Sequence, residues 1–98
     1  MTEVIARRGP EGLSLEVSGH ATGYPAVCAG ASALLYALAG WVRNREEPDA
    51  GAVVLEDGHG VVTLRDGPEA WAVLEAVVIG LLQIQLAEPA AIRVRKNF

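Results

Sequence analysis

Ala52-Val53-Val54-Leu55-Glu56-Asp57-Gly58-His59-Gly60-Val61-Val62-Thr63-Leu64-Arg65-Asp66-Gly67-Pro68-Glu69 carries the signals that set the fold. Ala52 to Glu56 and Val61 to Arg65 are β-branched runs, and Asp57-Gly58-His59-Gly60 between them is a short-hairpin signal. In this setting Asp57 and His59 read as turn residues. Asp66-Gly67-Pro68-Glu69 then starts a helix. Asp66 or Gly67 caps it, Pro68 takes the first position where its missing N–H costs nothing, and Glu69 complements the dipole. The helix is expected to run to about Leu86.

Beyond Glu88-Pro89, Ile92 and Val94 alternate with Arg93 and Arg95, which predicts a last strand at a sheet edge. Toward the N-terminus, Val4 to Arg8 is a strand candidate and Gly9-Pro10-Glu11-Gly12 a turn. Leu13, Leu15 and Val17 alternate with Ser14, Glu16 and Ser18, so that strand has one buried face. Gly19 to Tyr24 reads as a loop, Pro25 to Val42 as a helix rich in Ala and Leu, and Asn44 to Gly51 as a polar connection. The order β-β-α-β-β-α-β makes residues 1–98 a single α/β (α+β) domain. One mixed or mostly antiparallel sheet carries two packed helices. Leu74, Val77, Val78, Leu81, Leu82 and Ile84 leave the second helix apolar nearly all round, and a second copy of the chain is expected to supply part of its cover.

With 98 residues, 51% hydrophobic and 20% charged, the chain is globular rather than disordered. A net charge of -4 argues against a nucleic-acid partner. Arg7, Arg8, Arg93, Arg95 and Lys96 read as scattered solvated charge. One cysteine forms no internal disulfide, and one thiolate with two separated histidines builds no closed metal shell, so neither metal nor cofactor is implied. Glu3, Arg7 and Arg8 with no apolar run behind them do not make a signal peptide, so a cytoplasmic location is expected. Ala21 to Val42 is uncharged and long enough to span a bilayer. Gly23 and Pro25 interrupt it and the remainder is mostly small residues, which favours a buried core helix. The uncharged run Ala76 to Ala87 is too short to span.

Chemistry concentrates in Gly19-His20-Ala21-Thr22-Gly23-Tyr24-Pro25-Ala26-Val27-Cys28-Ala29-Gly30-Ala31-Ser32. The only cysteine falls in the first turn of a predicted helix, where the dipole and free N–H groups favour a thiolate. His20 lies eight residues earlier across a loop with Gly and Pro, and that loop can bring imidazole to sulfur, as a cysteine hydrolase requires. The same N–H groups offer an oxyanion hole. Ser32, one turn on, either orients the site or bonds back to the Cys28 carbonyl. The plainer reading is a buried, inert thiol.

On Gly19-His20-Ala21 and Cys28-Ala29-Gly30-Ala31-Ser32, followed by Ala33-Leu34-Leu35, the chain resembles the ribosomal-processing cysteine protease (Prp) family. The resemblance covers the whole length. It implies a dimeric α/β protein in which His20 is the base and Cys28 the nucleophile. Ser32 would be a supporting polar residue, and Gly19 would admit the close turn beside the histidine. The implied substrate is a protein with a short N-terminal extension, a large-subunit ribosomal protein precursor. Two departures stand out. Typical members separate His and Cys by about a dozen residues, and they carry an Asp where Pro25 stands here. A divergent branch fits those departures, as does a prophage-borne protease with a phage protein as target or a non-catalytic dimeric binding module of the same fold. A redox sensor lacks a resolving cysteine. In the protease reading Ala21, Thr22, Gly23 and Tyr24 form a substrate loop. Gly23 frees it, only Tyr24 anchors it, and it moves to admit a peptide.

Overall fold

The computed structural model describes every residue, Met1–Phe98. Seven elements follow in the expected order: β1 (Thr2–Gly9), β2 (Gly12–Ser18), α1 (Pro25–Arg43), β3 (Gly51–Glu56), β4 (His59–Leu64), α2 (Pro68–Ala87) and β5 (Ile92–Asn97). β1 and β2 form one antiparallel hairpin, β3 and β4 another, and the two join where β2 pairs antiparallel with β4. β5 adds parallel to β1, which gives the mixed order β3-β4-β2-β1-β5 with β3 and β5 at the edges.

The second hairpin departs from expectation in its turn. Glu56 pairs with His59, so the turn is the two residues Asp57-Gly58, and His59 is the first residue of β4 rather than a turn residue. Gly58 takes φ +74°, as tight two-residue turns demand. The strand begins early because Gly60 belongs to it. A Cβ there would lie 2.6 Å from Leu35 Cδ2, so the glycine lets α1 settle close on the sheet.

Alternation along the strands turns one face of the sheet to the helices. Val4, Ala6, Leu13, Leu15, Val17, Val62, Leu64 and Ile92 are buried there, against Val27, Ala31, Leu35 and Leu38 of α1 and Leu74, Val77, Val78 and Leu81 of α2. Burying each of the largest of these, such as Leu38 or Leu74, contributes about 2 kcal/mol. The other sheet face carries Arg7, Glu16, Ser18, His59 and Thr63 in paired positions. Gly67, not Asp66, caps α2, and Asp66 instead pairs with Arg8 at 2.9 Å. Both helices are long and apolar enough by length and composition to cross a bilayer. In the fold each turns one face to the core. Ala26, Ala29, Ala33 and Ala37 of α1 and Ala72 and Ala76 of α2 stand exposed, and among larger apolar residues Tyr36, Ile79 and Leu86 do as well.

Candidate active site

The site forms where β2 runs out. Gly19 adopts φ +81°, its N–H donates to the Gly58 carbonyl at 2.9 Å, and a Cβ on it would meet the Met1 carbonyl oxygen at 2.6 Å. The chain therefore leaves the sheet in a fixed direction, between the N-terminus and the β3–β4 turn. His20 follows with its ring lying over that turn: a Cβ on Gly58 would stand 3.0 Å from His20 Nε2. Asp57 Oδ1 is 3.9 Å from the same nitrogen, an ion-pair separation rather than a hydrogen bond. The His20 side chain is 62% exposed and that of Asp57 fully so.

The next residue reaches the sulfur. The Ala21 N–H donates to Cys28 Sγ at 3.2 Å, and the thiol lies 3.8 Å from the Ala21 carbonyl oxygen, a distance at which it donates weakly. That carbonyl also accepts the Tyr24 N–H at 2.9 Å, so Ala21 to Tyr24 is a closed turn. The loop was expected to be anchored by Tyr24 alone. Instead its anchor is Ala21, 3% exposed and part of the core, while Thr22, Gly23 and Tyr24 face solvent. Side-chain size hid this, because alanine anchors by fitting rather than by area.

Pro25 takes the first position of α1 and Cys28, half-buried, the fourth. The N–H groups of Val27 and Cys28 both bond the Tyr24 carbonyl, and Pro25 has none. Of the amides expected to form an oxyanion hole, only that of Ala26 lacks a backbone partner. The cysteine closes the first turn, as expected, but its own N–H is already taken up by the Tyr24 carbonyl.

His20, Cys28 and Ser32 line one cavity of about 300 Å³ at this end of the sheet. Val17, Ala31, Leu35 and Leu55 make its apolar floor, and Tyr36, Glu56 and Asp57 stand at its rim. No hydrogen bond joins His20 to Cys28, and none ties the Ser32 hydroxyl to the Cys28 carbonyl. The arrangement offers a thiol held by a backbone N–H, an imidazole on the adjacent residue, and an apolar recess open to solvent. Those are the elements of acyl transfer to sulfur.

Two contributors escape a linear reading. His59 lines the cavity too, and its Nε2 is 2.8 Å from Glu16 Oε2, while Glu16 Oε1 meets Arg7 Nη1 at 3.4 Å. The His59 hydrogen bond, helped by Arg7, holds the Glu16 carboxyl below its ordinary range against a smaller opposing effect of burial. His59 and Glu16 are 43 positions apart, and only the β2–β4 register, with Ser18 opposite His59, makes them neighbours. Asp57 looks like any aspartate in a glycine turn until the turn is seen beneath His20.

No protein-family model and no curated protein sequence matches the chain. Solved structures do. An essential ribosomal processing protease Prp from S. aureus, in complex with a covalently linked product peptide, superposes with a TM-score of 0.79 at 25% identity, over 99% of this chain and 100% of that one. The same protease with a substrate peptide gives a TM-score of 0.83 at 24% identity, again over 99% and 100%. The crystal structure of SMU.848 from Streptococcus mutans gives 0.72 at 22%, over 99% and 97%. Over its whole described length the chain shares the fold of these proteins.

Proposed function

We propose that the chain is a cysteine endopeptidase in which Cys28 is the nucleophile and His20 the base. It removes a short N-terminal extension from a protein substrate, a large-subunit ribosomal protein precursor by likeness, and it works as a cytoplasmic homodimer. One observation carries the reading. Cys28 and His20 line a single solvent-open cavity, in a fold shared end to end with a protease solved with substrate and product peptides.

In this mechanism the Cys28 thiol gives its proton to His20 and attacks the scissile carbonyl. The imidazolium then protonates the leaving amine, and water releases the acyl-enzyme. The Ala21 N–H, already on Sγ, stabilises the thiolate. The unpartnered Ala26 N–H is the amide left to bind the oxyanion. Substrate binding has to bring His20 and Cys28 into hydrogen-bond reach, since free enzymes commonly hold such pairs loosely.

The test is incubation with candidate ribosomal and phage precursor proteins, followed by intact-mass analysis. Wild-type protein shortens its target by a defined N-terminal peptide, and Cys28→Ala does not. Full cleavage by Cys28→Ala rules out the thiol mechanism. A non-catalytic dimeric binding module is the second reading, and the buried Ala21 packed on Sγ favours it, because a covered thiol is inert. Iodoacetamide separates the two: an activated Cys28 alkylates fast at neutral pH and a structural one does not.

A further inference from the structure

We infer that Asp57 is the positioning carboxylate of His20, delivered by the β3–β4 turn rather than by the helix that carries the cysteine. The inference deepens the protease reading and rests on it for its chemistry, though its geometry stands separately.

The turn is built against the histidine. The Gly19 N–H holds the Gly58 carbonyl at 2.9 Å, so the residue before His20 and the residue after Asp57 are tied together by backbone. Gly58 combines φ +74° with a bare Cα, and a Cβ there would crowd His20 Nε2 at 3.0 Å. A side chain at position 58 would therefore push the ring off the turn. With glycine, the ring rests with Nε2 toward Asp57, 3.9 Å from Oδ1.

Other carboxylates do not compete for the role. The first turn of α1 contains no acidic residue. Glu16 is engaged by His59 at 2.8 Å and by Arg7 at 3.4 Å. Glu56 lines the cavity but forms no ion pair with His20, whereas Asp57 forms one with His20 and with nothing else. Being wholly exposed, the Asp57 side chain is free to rotate the remaining distance.

The consequence is a division of labour on the ring. Nε2–H faces Asp57, which leaves Nδ1 as the nitrogen that takes the Cys28 proton. When that proton moves, the positive charge on the ring meets a carboxylate already in place. A peptide seated in the cavity excludes water from the pair and strengthens it.

Asp57→Asn keeps a residue that suits the turn and removes only the charge; Asp57→Glu restores the charge on a longer arm. We expect Asp57→Asn to slow both the alkylation of Cys28 by iodoacetamide at neutral pH and kcat for peptide cleavage. The loss should be roughly two- to fivefold, the size of an exposed ion pair rather than of a buried triad carboxylate, with KM unchanged. Asp57→Glu should recover more than half of either loss. Wild-type alkylation and kcat in Asp57→Asn would overturn the inference, and so would a loss that Asp57→Glu does not repair, since that marks a turn defect. If no form cleaves any peptide but alkylation still falls with Asn and recovers with Glu, the positioning role stands and the protease reading fails.

Discussion

Cys28 is held by its neighbours in two ways that pull against each other. The Ala21 N–H favours the thiolate, yet Ala21, 3% exposed, also covers one side of the sulfur. In the proposed mechanism a thiol under these constraints depends on its base. His20→Ala should therefore lower turnover by about 100-fold or more, read as kcat on a cleavable peptide, while Cys28→Ala abolishes it and leaves the circular dichroism spectrum unchanged. Glu16 supports a different prediction. Its carboxyl is held below the ordinary value near 4.5, first by the His59 hydrogen bond and then by Arg7. A carboxyl depressed in the folded state adds stability that is present above its unfolded value and lost as pH falls through the folded one. The stability gap between wild type and Glu16→Gln should thus be present above about pH 5 and close as pH falls below about 4. Urea denaturation at stepped pH reads this directly, and a gap that persists undiminished below about pH 4 would contradict it.

The site depends on three elements meeting: the end of β2, the start of α1 and the β3–β4 turn. Each is positioned by backbone rather than by long side chains, so small changes in packing reach it. Gly60 is the sharpest case, because a Cβ there would stand 2.6 Å from Leu35 Cδ2 and 3.2 Å from Leu55 Cδ2. Gly60→Val should destabilise the protein by about 1–3 kcal/mol as α1 is pushed away from β4. Leu35 and Leu55 both form the cavity floor, so the same change should weaken peptide binding, seen as a raised KM together with a lower melting temperature. A variant with unchanged melting temperature and KM would mean that Leu35 simply rotates aside. The Ala21–Tyr24 turn, closed by its own hydrogen bond, limits how far any opening can travel. Admission of a peptide then requires breaking the Tyr24–Ala21 bond or passing along the Tyr36 side of the cavity.

For the molecule as a whole, the two helices cover one face of the sheet and pack against each other, leaving an outer surface of alanines with Ile79 54% and Leu86 74% exposed. A chain this short has little core to spare, and burying that surface against a second copy would add to it. Light scattering at micromolar concentration should return the mass of two chains, about 20.6 kDa from 2 × 10.3 kDa. Ile79→Glu combined with Leu86→Glu should return one. A monomeric wild type would place the dimer claim in error.

Local chemistry in the sequence was enough for the elements and their order. Alternation at Leu13, Leu15 and Val17 marks β2, and Pro25 and Pro68 mark both helix starts within the residue. The sequence also marked the segment from His20 to Cys28 as the one carrying the chemistry, and both residues line one cavity. These are short-range matters, settled by dihedral preference and by which face each residue must bury. The two hairpins were legible as well; what needed the tertiary structure was their exact register and every pairing between strands that no short turn joins. The parallel addition of β5 to β1, the move of His59 from turn to strand, its bond to Glu16, and the seat of His20 on Asp57-Gly58 all arise from register between distant segments. A glycine is silent about what will occupy the space it leaves. At positions 58 and 60 that space is taken by His20 and Leu35, and only the packed chain decides it.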